Sequence, residues 1–124
     1  MAHIYKLKTF ADPRGNLTVI EKEIPFPIMR IFYIYGVDDS VRGKHRHHKT
    51  EQFLVALQGS CKIVSCSGDY MCDEEYLLND PSHGLFLAPG DWHYMMEFSR
   101  DCILQVFASS YFDHEDYIYE PYKK

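Results

Sequence analysis

Four of the seven histidines fall in two short strings, Arg42-Gly43-Lys44-His45-Arg46-His47-His48-Lys49-Thr50-Glu51-Gln52 and Leu87-Ala88-Pro89-Gly90-Asp91-Trp92-His93. Side chains alternate along a strand, so His45 and His47 share one face while Lys44 and Arg46 take the other. Glu51 opens the next β-type run, and His93 adds a third imidazole after a Pro-Gly turn. An imidazole with a pKa near ~6.5 both takes and returns a proton at neutral pH, which makes this a proton-transfer set. Three imidazoles and a carboxylate also form a ligand set for a divalent ion such as Fe, Mn, Ni or Zn. His48 faces away on the same parity and reads as solvated. His83, near Pro81, reads as a loop residue, and His3 and His114 carry no assignment. Around the first string, Arg42, Lys44, Arg46 and Lys49 stand without an intervening acid in a chain of net charge −5. A local cationic strip in an acidic protein suits a small anionic ligand, and it suits a solvated strand edge equally well. The acidic balance argues against nucleic acid as a partner.

The elements that must position these residues are short β-type runs separated by turn residues. The runs are Ile4–Phe10, Leu17–Glu23, Arg30–Val37, Gly43–His47, Gln52–Leu57, Cys61–Cys66, Tyr70–Leu78, Gly84–Ala88, His93–Phe98 and Cys102–Ser109. Asp12-Pro13-Arg14-Gly15, Gln58-Gly59-Ser60, Asn79-Asp80-Pro81 and Pro89-Gly90-Asp91 are among the turn signals between them. Pro25 and Pro27 exclude a central strand there and imply a crossover or edge. Helical spacing is sustained nowhere, and Tyr111–Tyr122 is the best place for a short terminal turn. The expectation is an all-β, double-sheet jelly roll that leaves few open edges, in one domain over residues 1–124. Cys61, Cys66, Cys72 and Cys102 form no CxxC pair and read as reduced thiols. No 18-residue apolar run marks a membrane span. The opening Met-Ala-His-Ile-Tyr-Lys is unlike a secretory signal. The expected location is the cytoplasm.

The spacings HxHxxxE and PGxxH resemble the two sequence motifs of the cupin superfamily, although Glu51 to Gly59 is one residue longer than the usual form. In metal-dependent cupins the matching residues would be His45, His47, Glu51 and His93. The chain as a whole resembles the sugar 3,4-ketoisomerase family, in Asp12-Pro13-Arg14-Gly15-Asn16-Leu17, in Ile24 through Ile34, in Arg42-Gly43 with the His pair, and in Glu51-Gln52. Leu57 through Cys61, Gly84-Leu85-Phe86, Trp92-His93, Ala108 through Asp113 and Asp116-Tyr117-Ile118 continue the match. Lys44 and Arg46 depart from the family, where uncharged and small residues are usual. The resemblance implies a small cupin barrel, a homodimer exchanging an N-terminal strand, and a dTDP-4-keto-6-deoxyglucose substrate. It also implies a reaction with no obligatory metal or other cofactor. A metal-dependent cupin enzyme and a non-catalytic nucleotide-sugar-binding cupin are the alternatives.

Within that reading His47 is the expected carbon base and His45 its shuttling or orienting partner. Arg14 or Arg42 would stabilise an enediolate or grip the pyrophosphate, with Arg30 as a further substrate contact. Gln52 and Tyr33 are expected to orient the sugar, and Trp92 and His93 to wall its pocket. Glu51, if it meets the imidazoles, would hold their tautomer as carboxylates commonly do. Arg14 resembles the members that make the galacto-configured 3-keto product, whereas Met96 matches neither product group.

Overall fold

The computed structural model describes residues 2–68 and 73–122. Twelve strands make up its regular structure: β1 His3–Lys6, β2 Lys8–Asp12, β3 Gly15–Val19, β4 Arg30–Tyr35, β5 Arg42–His47, β6 Gln52–Gln58, β7 Cys61–Cys66, β8 Glu74–Leu78, β9 His83–Leu87, β10 Trp92–Met96, β11 Ile103–Ala108 and β12 Tyr117–Ile118. They form two five-stranded sheets, β1-β9-β6-β11-β4 and β12-β5-β10-β7-β8, and the separate β2–β3 hairpin. All pairings are antiparallel.

The alternation of side chains builds two layers of core. Leu54, Ala56, Ile63, Leu85, Leu87, Met95, Leu104 and Val106 fill the space between the five-stranded sheets. The opposite parity of β6 and β11 sends Phe53, Val55 and Phe107 outward, where Phe26, Ile20 and Ile24 cover them. The Pro25/Pro27 segment is therefore the expected crossover, and it seals the back of the first sheet. Gly84 is required beneath it, because a Cβ there would come within 2.1 Å of the Phe53 ring.

The N-terminal runs differ most from the sequence expectation, and Leu17–Glu23 is observed as β3, which ends at Val19. Ile4–Phe10 is not one strand: Leu7 is buried and its N–H donates to the Ser82 carbonyl at 2.6 Å, which splits the run into β1 and β2. β1 joins β9 of its own chain, while β2 and β3 leave the body as a hairpin with Phe10 and Leu17 exposed. The run from Tyr70 begins outside the described residues, as does Cys72; Cys61, Cys66 and Cys102 are free and buried. The expected terminal turn is a 3₁₀ turn at His114–Asp116, capped by the Asp113 side chain, and the two-residue β12 follows it. Among the described residues no helix is long and apolar enough to cross a membrane.

Candidate active site

β5 and β10 carry the three imidazoles to one wall. His93 lies opposite His45, and the next pairing is Tyr94 with Gly43, so Lys44 is an extra residue in a β-bulge. The bulge demands positive φ at Gly43 (89°) and Lys44 (62°). A Cβ on Gly43 would sit 3.1 Å from the His93 carbonyl oxygen, so glycine also admits the close approach of β10. With the bulge absorbed ahead of His45, the His45/His47 alternation is preserved. Ring centroids are 5.1 Å apart for His45 and His47, 5.0 Å for His45 and His93, and 6.4 Å for His47 and His93.

His47 and His93 are oriented by different partners. His47, 4% exposed, donates from Nδ1 to Asp116 Oδ2 at 2.9 Å. Asp116 comes from the 3₁₀ turn, placed when β12 pairs Tyr117 with His47 along the edge of β5. The Lys49 N–H donates to Asp116 Oδ1 at 2.8 Å, and the Thr50 hydroxyl donates to Oδ2. Burial would raise the Asp116 carboxyl, but the bonds from Thr50, Lys49 and His47 outweigh it and hold the pKa below the usual value. His93 donates from Nδ1 to the Asp91 carbonyl at 3.0 Å. With Nδ1 of His47 and His93 engaged, Nε2 of each is left buried with no protein partner. Burial lowers His93 to about 3. Burial and then the neighbouring His47 lower His45 to about 4. Burial also lowers His47, with Asp116 pulling upward and Arg30 adding to the lowering. The result is a neutral, oriented imidazole with a bare Nε2, the state a general base requires.

Neutral burial has a stability consequence. Below pH ~6.5 the unfolded chain protonates His45 and His93 while the folded chain does not, so stability is full above that pH and falls as pH drops towards the folded pKa values. The fully buried His93 alone contributes about 1.4 kcal/mol per pH unit in that window. Urea titrations at about pH 7.5 and about pH 5.5 are expected to give a lower midpoint at the acid pH with an unchanged slope. A midpoint that stays constant would contradict the buried neutral state.

The other expected site residues divide. Arg30 shares the inward parity of Phe32 and Ile34, lies 5.2 Å and 5.8 Å over the Phe32 and Phe112 rings, and has a buried, unpartnered Nε. Gln52 shares the inward parity of Leu54 and Ala56 and is buried. Arg30, Ala108, Gln52 and Leu87 are consecutive partners across the first sheet and form the row facing the imidazoles. Glu51 falls on the other parity, with Phe53 and Val55, and bonds through its backbone to Ser109. The carboxylate on His47 is therefore Asp116 and not Glu51. Counting from Gln52 instead of Glu51 removes the one-residue excess in the spacing to Gly59, a signal that was present in the sequence. The amide of Gln52 stands where a metal ligand set would need its carboxylate. Among the described residues no three His, Cys, Asp or Glu side chains converge on a metal site.

Tyr33 is 60% exposed on the outer side of β4, stacked on Tyr35, and does not meet the imidazoles. Trp92 faces away from His93 by strand parity, and its Nε1–H donates to the Tyr119 carbonyl at 3.2 Å, so it ties down the C-terminal segment. Arg14 sits at the tip of the β2–β3 hairpin, paired with Asp12 at 2.6 Å, and its side chain is 90% exposed. Arg42 is exposed at the start of β5. Tyr117 packs 4.5 Å from His47 and 4.8 Å from His45, a wall that strand-pattern reading missed along with Asp116. Arg46 points outward over the Tyr122 ring at 3.9 Å.

The chain is similar to known proteins over nearly its whole length. The family model FdtA: WxcM-like, C-terminal matches residues 1–124. TDP-4-oxo-6-deoxy-alpha-D-glucose-3,4-oxoisomerase of Aneurinibacillus thermoaerophilus is 42% identical over 126 residues, which span 98% of this chain and 89% of that protein. The structure of a His-to-Asn variant of the 3,4-ketoisomerase QdtA from Thermoanaerobacterium thermosaccharolyticum, in complex with TDP-4-keto-6-deoxyglucose, superposes with a TM-score of 0.89 at 42% identity, covering 96% of this chain and 87% of that one. A 3,4-ketoisomerase from Helicobacter canadensis gives a TM-score of 0.90 at 39% identity, with 96% and 90% coverage. The chain belongs to the FdtA (WxcM-like, C-terminal) family, which has the cupin fold of these sugar 3,4-ketoisomerases.

Proposed function

We infer that the protein is a sugar-nucleotide 3,4-ketoisomerase converting dTDP-4-keto-6-deoxy-D-glucose to a dTDP-3-keto-6-deoxyhexose. The observation that carries the chemistry is His47, whose Nδ1–H is held by Asp116 and whose Nε2 is bare. The C4 carbonyl acidifies the C3 hydrogen. Nε2 takes that proton, the C3–H electron pair forms the C3=C4 bond, and the carbonyl π pair moves onto O4 as an enediolate. Arg30, already adjacent to His47 and otherwise unpartnered at Nε, supplies positive charge for the oxyanion. Reprotonation at C4, with the O3 hydroxyl proton passing to O4 through His45, leaves the carbonyl at C3. Gln52 orients the sugar from the facing sheet. The cationic Arg42 and Arg14 are assigned to the diphosphate. A 3-keto sugar of this kind is the substrate of an amination step, in the making of a 3-amino-3,6-dideoxysugar.

We read the product as galacto-configured. In the substrate H3 is axial, and a hydrogen delivered to C4 from that same face gives the galacto product. The three site imidazoles lie on the β5/β10 wall, whereas Arg30, Ala108, Gln52 and Leu87 opposite exchange no proton near neutral pH. Removal and return from one wall are removal and return on one sugar face. The protein acts as a cytoplasmic homodimer: exposed Phe10, Leu17, Ile31, Tyr33 and Tyr35 offer a second copy an apolar face. β1 pairs within its own chain, so the exchanged element is the β2–β3 hairpin, carrying Arg14 towards the partner's site.

The test is EDTA-treated, dialysed protein with dTDP-4-keto-6-deoxyglucose in D₂O, followed by proton NMR, with a parallel run in H₂O to read the H4–H5 coupling. The expected result is a 3-keto product carrying deuterium at C4 and galacto coupling in water. A gluco product would sink the one-wall argument alone. No 3-keto product would remove the ketoisomerase, and turnover that returns only with a divalent ion would transfer the site to metal chemistry.

A further inference from the structure

We propose that Thr50 and Ser110 are positioning residues for proton transfer at His47: their aligned hydroxyls hold the Asp116 carboxylate against Nδ1 and so keep His47 in the tautomer whose Nε2 is free. The order of donors follows from proton counting. An ionised carboxylate only accepts. The single Thr50 hydroxyl proton is therefore committed to Asp116 Oδ2. Thr50 Oγ1 then has only lone pairs to offer Ser110, which must be the donor across the 2.6 Å between their oxygens. At the far end His47 Nδ1 meets the same Oδ2, so it too must donate. Oδ1 is engaged by the Lys49 N–H. Every bond to the carboxylate runs inward, and no arrangement of these protons lets Nδ1 accept.

Asp116, Thr50 and His47 are 4%, 2% and 4% exposed, so water does not compete for these bonds. Ser110 is half-buried and closes the chain at its outer end. Nothing about Thr50 in the sequence marks it as functional. It lies three residues past His47 in a turn, and its partners are 60 and 66 residues away. The groups facing His47 are Asp116 and Tyr117 from the C-terminal segment, His45 on its own strand, His93 on β10 and Arg30 on β4. Of these only Asp116 bonds to Nδ1. Removing the Thr50 donor frees Asp116 to turn away from Nδ1, which loosens the tautomer and withdraws the carboxylate's upward pull on His47.

The tautomer consequence stands independently, while the kinetic one rests on the ketoisomerase reading. In ¹⁵N NMR the wild-type His47 ring is expected to show a protonated Nδ1 and a bare Nε2 at neutral pH, and Thr50→Val a mixture of tautomers. In turnover of dTDP-4-keto-6-deoxyglucose, Thr50→Val should lose about 10–100-fold in kcat. KM should hold, and the acid limb of the pH profile should move to lower pH. Thr50→Ser should restore tautomer, limb and rate, which a packing role for the threonine methyl would not allow. Ser110→Ala should move limb and tautomer in the same direction by less, and it decides the matter alone if the valine variant does not fold. An unchanged tautomer and limb in the folded variant, or failure of serine to rescue, overturns the proposal. A wild type that turns over no substrate removes the ketoisomerase reading and leaves the NMR measurement to judge the relay.

Discussion

His47→Asn is expected to fold, to bind the nucleotide sugar, and to lose about 10²–10⁴ of kcat, the range a positioned general base supplies. Asparagine fills part of the imidazole volume and can still hydrogen-bond to Asp116, so the buried carboxylate keeps a partner and the fold is spared an unpaired charge. It has no nitrogen lone pair basic enough to take a proton from carbon. The loss should therefore fall on kcat and leave KM within a few-fold. The check is a progress curve by NMR together with a binding isotherm for dTDP. A folded His47→Asn protein with full turnover would end the assignment, and His45 would be the next base to examine.

Asp116→Asn is expected to cost nearly as much, although Asp116 touches no substrate. The geometry forces the amide's orientation. Its oxygen must face the Lys49 N–H, which lies 2.8 Å from Oδ1, because a flipped amide would set two donors against each other. The Nδ2 then points at His47 Nδ1 and the Thr50 oxygen. It donates to the imidazole and drives the ring proton onto Nε2, the atom meant to be the base. Such a tautomer reversal costs up to about 10⁴ in kcat where a buried carboxylate orients a catalytic histidine. The control is Glu51→Gln, which should change kcat little, since Glu51 lies on the opposite parity. Kinetics in which Glu51→Gln is crippled and Asp116→Asn is not would reverse the assignment of the orienting carboxylate.

Pattern and composition were enough for much of this. β-type runs between turn residues state the all-β architecture, since alternation and turn chemistry are local properties of the chain. The two-residue spacing of His45 and His47 puts them on one face, and a bulge at Gly43-Lys44 leaves that intact because its extra residue falls before His45. His93 follows from the Pro-Gly turn, and the string from Ile24 to Ile34 carries Arg30. The overall likeness to the 3,4-ketoisomerases was legible for the same reason: order and spacing survive in a linear string.

Only the tertiary structure decided which carboxylate serves His47. Asp116 lies 69 residues away in sequence, delivered by a two-residue edge strand too short to leave a periodic signature. It also decided the sides of single strands. Gln52, not Glu51, faces inward, and Tyr33 and Trp92 face outward, because parity says that neighbours alternate but not which of them meets the core. Packing settles that, through Phe53 and Val55 going under the Pro25–Pro27 crossover. The neutrality of the three imidazoles likewise belongs to the folded state, since desolvation exists only once both sheets close around them.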